Sequence, residues 1–189
     1  MGRWQPGARG RLTRAALELY GERGFEQTTV AEIAQRAGLT ERTFFRYFAD
    51  KREVLFDGAG ALHDAMVKGV AGAPADAPPI ALAAAGLAAI GEVFPQERRA
   101  GARERQALIE ANAELREREL IKMARLSAAL AEALRDRGVA EPAASLTAEA
   151  MIGVFKVAFT RWIAEGNRRS LARLLEESLD ALKAVTASA

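Results

Sequence analysis

Residues Thr28 to Phe56 read TTVAEIAQRAGLTERTFFRYFADKREVLF, and the fold follows from this stretch. Thr29 with Glu32 three residues on has the form of a capping box, each side chain accepting from the other's backbone N–H at a helix start. Val30, Ile33, Ala34 and Ala37 then recur at helical spacing. Gly38 offers the positive φ that ends this helix, and Thr40 caps the next. The second helix, Glu41 to Phe48, is short, and Asp50 with Glu53 repeats the capping box for a helix after it. Two short helices joined at Ala37-Gly38-Leu39 make a helix-turn-helix.

The second of these helices carries residue types suited to DNA. Phe44 and Phe48 share a face and can pack back on the preceding helix. The other face holds Glu41, Arg42, Thr43, Phe45, Arg46 and Tyr47. Guanidinium forks match guanine edges or phosphates, hydroxyls bond phosphates, and aromatic rings touch thymine methyls. Lys51 follows at the next helix start, where free backbone N–H groups already favour an anion. Thr29, Thr40, Glu41, Arg42, Thr43, Phe45, Arg46, Tyr47 and Lys51 are therefore the candidate DNA contacts, with Arg42, Phe45 and Glu41 near base edges and Thr29, Thr43, Tyr47 and Lys51 on phosphates. The plain alternative is a structural helical corner with an aromatic cluster.

At these residues the chain resembles the TetR-type transcriptional regulators. The resemblance rests on Gly24-Phe25 at the end of a first helix, then Thr29, Ile33, Ala34, Ala37, Gly38 and Leu39, and then Thr40, Thr43, Phe44, Phe45, Tyr47, Phe48 and Lys51. Phe45 departs from the pattern, which commonly has tyrosine there; an apolar base contact survives, but a phosphate hydrogen bond does not. The resemblance covers about the first third of the chain. It implies a homodimeric repressor whose helical C-terminal part binds an effector.

Composition narrows the alternatives. The chain has one histidine and no cysteine, so disulfides, thiolate chemistry and paired histidine ligands are out of reach. It has no phosphate-binding glycine loop, and its carboxylates lie among arginines, where solvated ion pairs are the default. No catalytic residue, metal site or cofactor is expected. No apolar h-region opens the chain, and the uncharged run from Ala77 to Gly91 is too short to span a bilayer, so a cytoplasmic protein is expected. Lys and Arg total 27 against 25 Asp and Glu, and the excess sits in Arg3, Arg9, Arg11 and Arg14 of a Gly- and Pro-containing arm. Such an arm can reach phosphates or a minor groove.

The rest reads as helix, giving an all-α chain of about nine helices: residues 1–50 as a three-helix DNA-binding head with its basic arm, and residues 51–189 as a helical effector-binding and dimerisation bundle. The first helix runs from about Gly10 to Arg23, and a fourth from Lys51 to about Val70. Ile80 to Phe94 forms another. Leu120, Met123, Ser127, Leu130 and Leu134 set the register of a long helix closed by Gly138. Pro142 opens a helix reaching Glu165, and Leu171 through Val185 line the last.

Met151, Val154, Phe155, Ala158, Phe159 and Trp162 form a broader apolar face than one buried stripe needs, which points to pairing of subunits through the last two helices. Symmetric heads would then read a pseudo-palindrome. His63, Met66, Phe94, Met123, Phe155, Phe159 and Trp162 are candidates to line a pocket, and their methionines and aromatics favour a hydrophobic small molecule. The competing readings are a helical protein–protein interaction module and a non-specific architectural DNA binder without an effector.

Overall fold

The computed structural model describes residues 7–187, with the backbone alone at Glu92. Among the described residues it is all-α, with nine α-helices and three short 3-10 turns and no strand. The helices are α1 (Ala8–Arg23), α2 (Val30–Arg36), α3 (Glu41–Tyr47), α4 (Ala59–Ala71), α5 (Pro79–Ala88), α6 (Arg99–Ala111), α7 (Ala113–Asp136), α8 (Ala143–Ile163) and α9 (Leu171–Ala187). Gly24, Gly38, Gly138 and Gly166 all take positive φ, between 66° and 85°, and each follows a helix end. By its contacts the chain divides into two compact units: the residues up to Gly58 together with Glu104–Glu119, and Ala59–Arg103 together with Leu120 onward. That grouping takes residues 51–58 and the corner between α6 and α7 with the helix-turn-helix, where the sequence places a boundary after residue 50.

In the first unit, α1 buries Leu12, Ala15, Ala16, Leu19 and Tyr20 against Ile33 and Ala34 of α2 and Phe44 of α3. Phe25 packs edge-on against Tyr20, the ring centroids 5.3 Å apart. On the outer side Arg36 makes a two-pronged ion pair with Glu22 at 2.8 and 2.9 Å, and Arg23 reaches Glu32 at 2.8 Å. The first helix starts at Ala8 rather than at about Gly10, so Arg9 joins Arg11 and Arg14 in the helix. Arg3 lies outside the described residues.

The fourth helix does not start at Lys51. Asp50 does cap a turn, its Oδ1 accepting from the backbone N–H groups of Arg52 and Glu53 at 2.8 and 3.1 Å. That turn is a 3-10 helix, Glu53–Phe56, and α4 begins only at Ala59. Val54, Leu55 and Phe56 are consecutive and all buried, which no single α-helical stripe allows. The Leu55 carbonyl, which an uninterrupted α-helix would give to Ala59, accepts instead from Arg105.

In the second unit α4 and α5 cross closely at Gly69 and Gly86, and the core is built from Leu62, Met66, Leu87, Leu130, Met151 and Trp162 among others. The α-helix from Pro79 stops at Ala88 and tightens to a 3-10 turn through Glu92, short of the expected Phe94. In α7, Ser127, Leu130 and Leu134 are buried as their spacing requires, but Leu120 is 62% exposed. The register holds only for the half of α7 that this core covers. Val185 likewise faces solvent, because α9 outruns the core it packs on. By length and apolarity α8 could cross a membrane, yet eight of its residues are buried in the core and its outer side carries Glu149, Lys156 and Arg161. The broad apolar face of α8 is thus largely the chain's own core: Met151, Ile152, Val154, Phe155, Ala158 and Trp162 are buried without any partner subunit.

Candidate nucleic-acid interface

The helix-turn-helix is fixed from both ends by side chains. Thr29 Oγ1 accepts from the Glu32 N–H at 3.2 Å, and Glu32 Oε2 accepts from the Thr29 N–H at 2.9 Å, completing the capping box. These hydrogen bonds hold the Glu32 carboxyl below the usual carboxylate range, the backbone N–H of Thr29 contributing most. At the turn, the Leu39 N–H returns to the Ala34 carbonyl at 2.8 Å and that of Gly38 to Gln35 at 3.0 Å. Thr40 Oγ1 accepts from the Thr43 N–H at 3.2 Å and lies 3.1 Å from Thr43 Oγ1. Of the candidate DNA contacts, Thr29 and Thr40 are therefore engaged as helix caps although both stay exposed, and Thr43, expected with Thr29 on phosphates, has its hydroxyl against that of Thr40.

Locking α3 by one face presents the other. Phe44 and Phe48 are buried with their rings 5.5 Å apart, while Glu41, Arg42, Phe45, Arg46 and Tyr47 are exposed and Thr43 is half-buried. Phe45 shows 55% of its surface, an unusual position for a phenylalanine that has a core beside it. Arg46 stacks on Tyr47, its guanidinium carbon 5.0 Å from the ring centroid and Nη2 3.3 Å from the hydroxyl. Among the described residues Arg42 makes no hydrogen bond or ion pair. The face thus offers one free guanidinium, one braced guanidinium and an open aromatic ring.

Lys51 is placed otherwise than the sequence reading has it. Its Nζ donates to the carbonyls of Phe25, Glu26 and Thr28 at 2.9, 3.1 and 3.0 Å and lies 4.5 Å from the Phe25 ring centroid. An ammonium has three donors, so none is left for a phosphate. Lys51 closes the turn between α1 and α2, and its own carbonyl accepts from Tyr20 Oη at 2.6 Å. Burial, with the nearby charge of Asp50, pushes the Tyr20 phenol well above its ordinary value, so it stays a donor. The first-helix arginines are also partly committed. Arg9 pairs with Asp57 and lies over Phe48, Arg11 is half-buried, and Arg14 is exposed.

The candidate pocket residues divide in the same way. Phe94, Phe155, Phe159 and Trp162 come together, with ring centroids 5.6 to 6.3 Å apart. Trp162 Nε1 donates to Gln96 Oε1 at 3.1 Å. Met66 is buried in the same core, and Met123 packs against it. His63 does not join them: its side chain is 44% exposed and lies 3.2 Å from Asp64. Helical spacing puts His63 beside the Leu62–Met66 stripe, but the core ends at that stripe. Among the described residues no group of three or more potential metal ligands occurs.

Two sequence matches place the chain. Residues 12–57 match the family described as bacterial regulatory proteins, tetR family, and residues 76–187 match the MftR C-terminal domain. The chain belongs to the TetR family. Among TetR-family proteins it is 40% identical over 86 residues to the HTH-type transcriptional regulator TcmR of Streptomyces glaucescens, a match covering 45% of this chain and 38% of that one. It is 36% identical over 59 residues to a Mycobacterium tuberculosis protein provisionally assigned as the mycofactocin biosynthesis transcriptional regulator MftR, covering 31% and 29% of the two chains. These stretches span well under half of either relative. The fold is shared with the fatty acid degradation regulator FadR of Bacillus halodurans at 17% identity, with 95% and 96% of the chains covered and a TM-score of 0.57. TetR-family membership makes this a regulatory protein and not an enzyme.

Residues that sequence reasoning passed over are Arg105 and Arg118. Both lie in charged runs that read as solvated faces, yet Arg105 is half-buried against the Phe56 ring, 5.1 Å from its centroid, and Arg118 pairs with Glu53 at 2.7 Å. Three consecutive apolar residues after Asp50, too many for one stripe, were the available sign that another element must cover them.

Proposed function

We propose that this TetR-family protein is a repressor that reads a pseudo-palindromic operator as a homodimer in the cytoplasm and is released by a hydrophobic small molecule. The observation that carries the reading is the outer face of α3, where Phe45 and an unpaired Arg42 stand exposed on a helix whose inner face is locked. In a major groove, Arg42 would take a guanine edge, Phe45 a thymine methyl, and Arg46 with Tyr47 the flanking phosphates. Thr29, Thr40 and Thr43 would approach the backbone with the hydroxyl capacity their caps leave. Glu41, at the first turn of α3, favours cytosine or repels phosphate and so narrows the choice of sequence.

Pairing is supported by the outer edge of α8. Leu146 and Val157 are 66% and 55% exposed, and Gly153 between them has nothing within 4 Å of where a Cβ would stand. Effector binding is supported by the aromatic group of Phe94, Phe155, Phe159 and Trp162 with Met66 and Met123 beside it, adaptable apolar side chains around a few polar atoms. To act, the effector must prefer one state; a 100-fold preference would shift the equilibrium by about 2.7 kcal/mol.

The test is selection of bound fragments from random duplex DNA by the intact chain and by Arg42→Ala and Phe45→Ala. A two-fold symmetric consensus that loses definition at separate base positions in the two variants is the expected result. Binding without a consensus would leave an architectural DNA binder, and no binding by folded protein at low salt would leave a helical interaction module.

A further inference from the structure

We infer that the outer face of α3 is suited to a 5-methylcytosine·guanine pair, with Phe45 on the methyl group, Glu41 on the neighbouring amine and Arg42 on guanine. The inference rests on the DNA-binding reading of α3 and names the base pair that this reading leaves open. Glu41 and Phe45 are four residues apart and Arg42 and Phe45 three, so the three side chains leave α3 as one patch. All three are exposed, and among the described residues neither Glu41 nor Arg42 makes a hydrogen bond or ion pair. The neighbouring groups that could occupy Glu41 are engaged elsewhere. Arg46 lies on the Tyr47 ring, and the Thr40 and Thr43 hydroxyls lie against each other. The Phe45 ring is braced: it meets the fully buried Phe44 edge-on, with centroids 5.5 Å apart and planes at 82°.

A carboxylate brought among phosphates loses water and meets like charge, so it is tolerated where a base edge offers it a donor. In the major groove those donors are the amines of cytosine and adenine. An open phenyl ring gains instead from a methyl group, which thymine carries. At an unmodified base pair the two demands conflict. Across adenine·thymine the groove edge runs methyl, acceptor, donor, acceptor, so the thymine oxygen stands between methyl and amine and repels the carboxylate. Across cytosine·guanine the amine is followed by two guanine acceptors, but the carbon beside the amine is bare. Methylation of that carbon gives methyl, donor, acceptor, acceptor in an unbroken row. Each feature then has one of the three side chains to meet it: ring, carboxylate and guanidinium.

The test uses the operator selected by the intact chain, altered at the base pair whose definition Phe45→Ala removes. Duplexes carrying cytosine, 5-methylcytosine or thymine there are titrated against the intact chain. The methylated duplex should bind about fourfold tighter than the cytosine duplex for each half-site, the worth of one buried methyl group. It should bind about fivefold or more tighter than the thymine duplex, which turns an acceptor toward Glu41. Phe45→Ala should bind the cytosine and methylated duplexes alike. In Glu41→Gln the amide can donate as well as accept, so the thymine duplex should draw level with the methylated one. Both positions are exposed, so neither variant disturbs the core beneath α3. Methylated operator bound no tighter than unmethylated overturns the inference and leaves the DNA reading standing. So does a Phe45→Ala chain that selects an unchanged consensus. If folded protein binds no duplex at low salt, the DNA reading and the inference fall together.

Discussion

Lys51 shows how a residue in a binding motif can serve the fold. The motif places a cation one turn past the recognition helix, where a phosphate contact is the natural expectation, but three carbonyls at 2.9–3.1 Å already saturate its ammonium. Lys51→Met should therefore lower the stability of the head by about 1.5–3 kcal/mol, the range for hydrogen bonds to a charged group. The slope of log affinity against log salt should not change, because no phosphate contact is lost. Denaturant midpoints and a salt titration of DNA binding together decide it; unchanged stability with a slope reduced by about one would return Lys51 to the phosphates. Charge placement also sets a pH response. Burial alone would raise the Asp50 carboxyl, but hydrogen bonds from the Arg52 side chain and the Glu53 and Arg52 N–H groups outweigh it and hold Asp50 below its ordinary value. Glu32 is depressed by Thr29. A carboxylate whose folded pKa is depressed stabilises the fold above its unfolded pKa, about 4, and loses that contribution as pH falls through the folded value. Denaturant midpoints of the head should hold from neutrality to about pH 5 and fall below about pH 4. Asp50→Asn should shift the whole curve down and flatten its acid limb; an unaltered limb would assign the response to other groups.

At the scale of elements, a glycine at a close passage of helices and one on an open helix face make opposite predictions for chemically identical changes. A Cβ on Gly69 would stand 2.6 Å from the Ala85 carbonyl oxygen and 2.8 Å from Gly86 Cα, backbone atoms that cannot step aside. Gly69→Ala should cost about 1–3 kcal/mol despite alanine's better helix propensity, because α4 and α5 must part. On α8, Gly153 meets nothing within 4 Å, so Gly153→Ala should stabilise an isolated chain by about 0.5–1 kcal/mol. Thermal or urea unfolding of the two variants checks both signs. The same elements show what the sequence discloses. Caps and positive-φ glycines act over three or four residues, so Thr29, Thr40, Gly38, Gly138 and Gly166 could be read directly, and the helices between them followed. The α3 face was legible for the same reason, since two phenylalanines four apart fix which side turns inward. Long-range partners were not legible. Leu120 fits the α7 stripe by period, but the period does not say whether a neighbouring helix covers that turn, and none does. His63 failed likewise. Arg105, fifty residues away, takes the Leu55 carbonyl of the 3-10 turn at Glu53–Phe56, and no local pattern announces that.

For the whole molecule, the open question is what covers the outer edge of α8. Its inner face is spent on the chain's own core, so the surplus that argues for a partner reduces to Leu146 and Val157, with Gly153 lying between them in the sequence. Two copies meeting across a two-fold axis near Gly153 would bring their backbones close and bury both large residues, which is the isologous arrangement expected of a dimer. Val157→Glu places a charge at the centre of that contact, and burying it unpaired costs more than a small interface can return. The chain itself should fold unchanged, because Val157 is exposed within its own subunit. Sedimentation should then show a monomer for the variant and a dimer for the unaltered chain. DNA binding should change in kind as well as strength: each head retains its contacts with one half-site, but the second half-site no longer binds as part of the same event, so the gain from linking two sites disappears. A full pseudo-palindrome and an isolated half-site should therefore bind the variant with similar, weak affinity, whereas the unaltered protein should separate them by a factor of a hundred or more, about 2.7 kcal/mol. A Val157→Glu chain that stays dimeric and still prefers the full site would move the subunit contact off this edge of α8 and leave Leu146 and Val157 for some other partner.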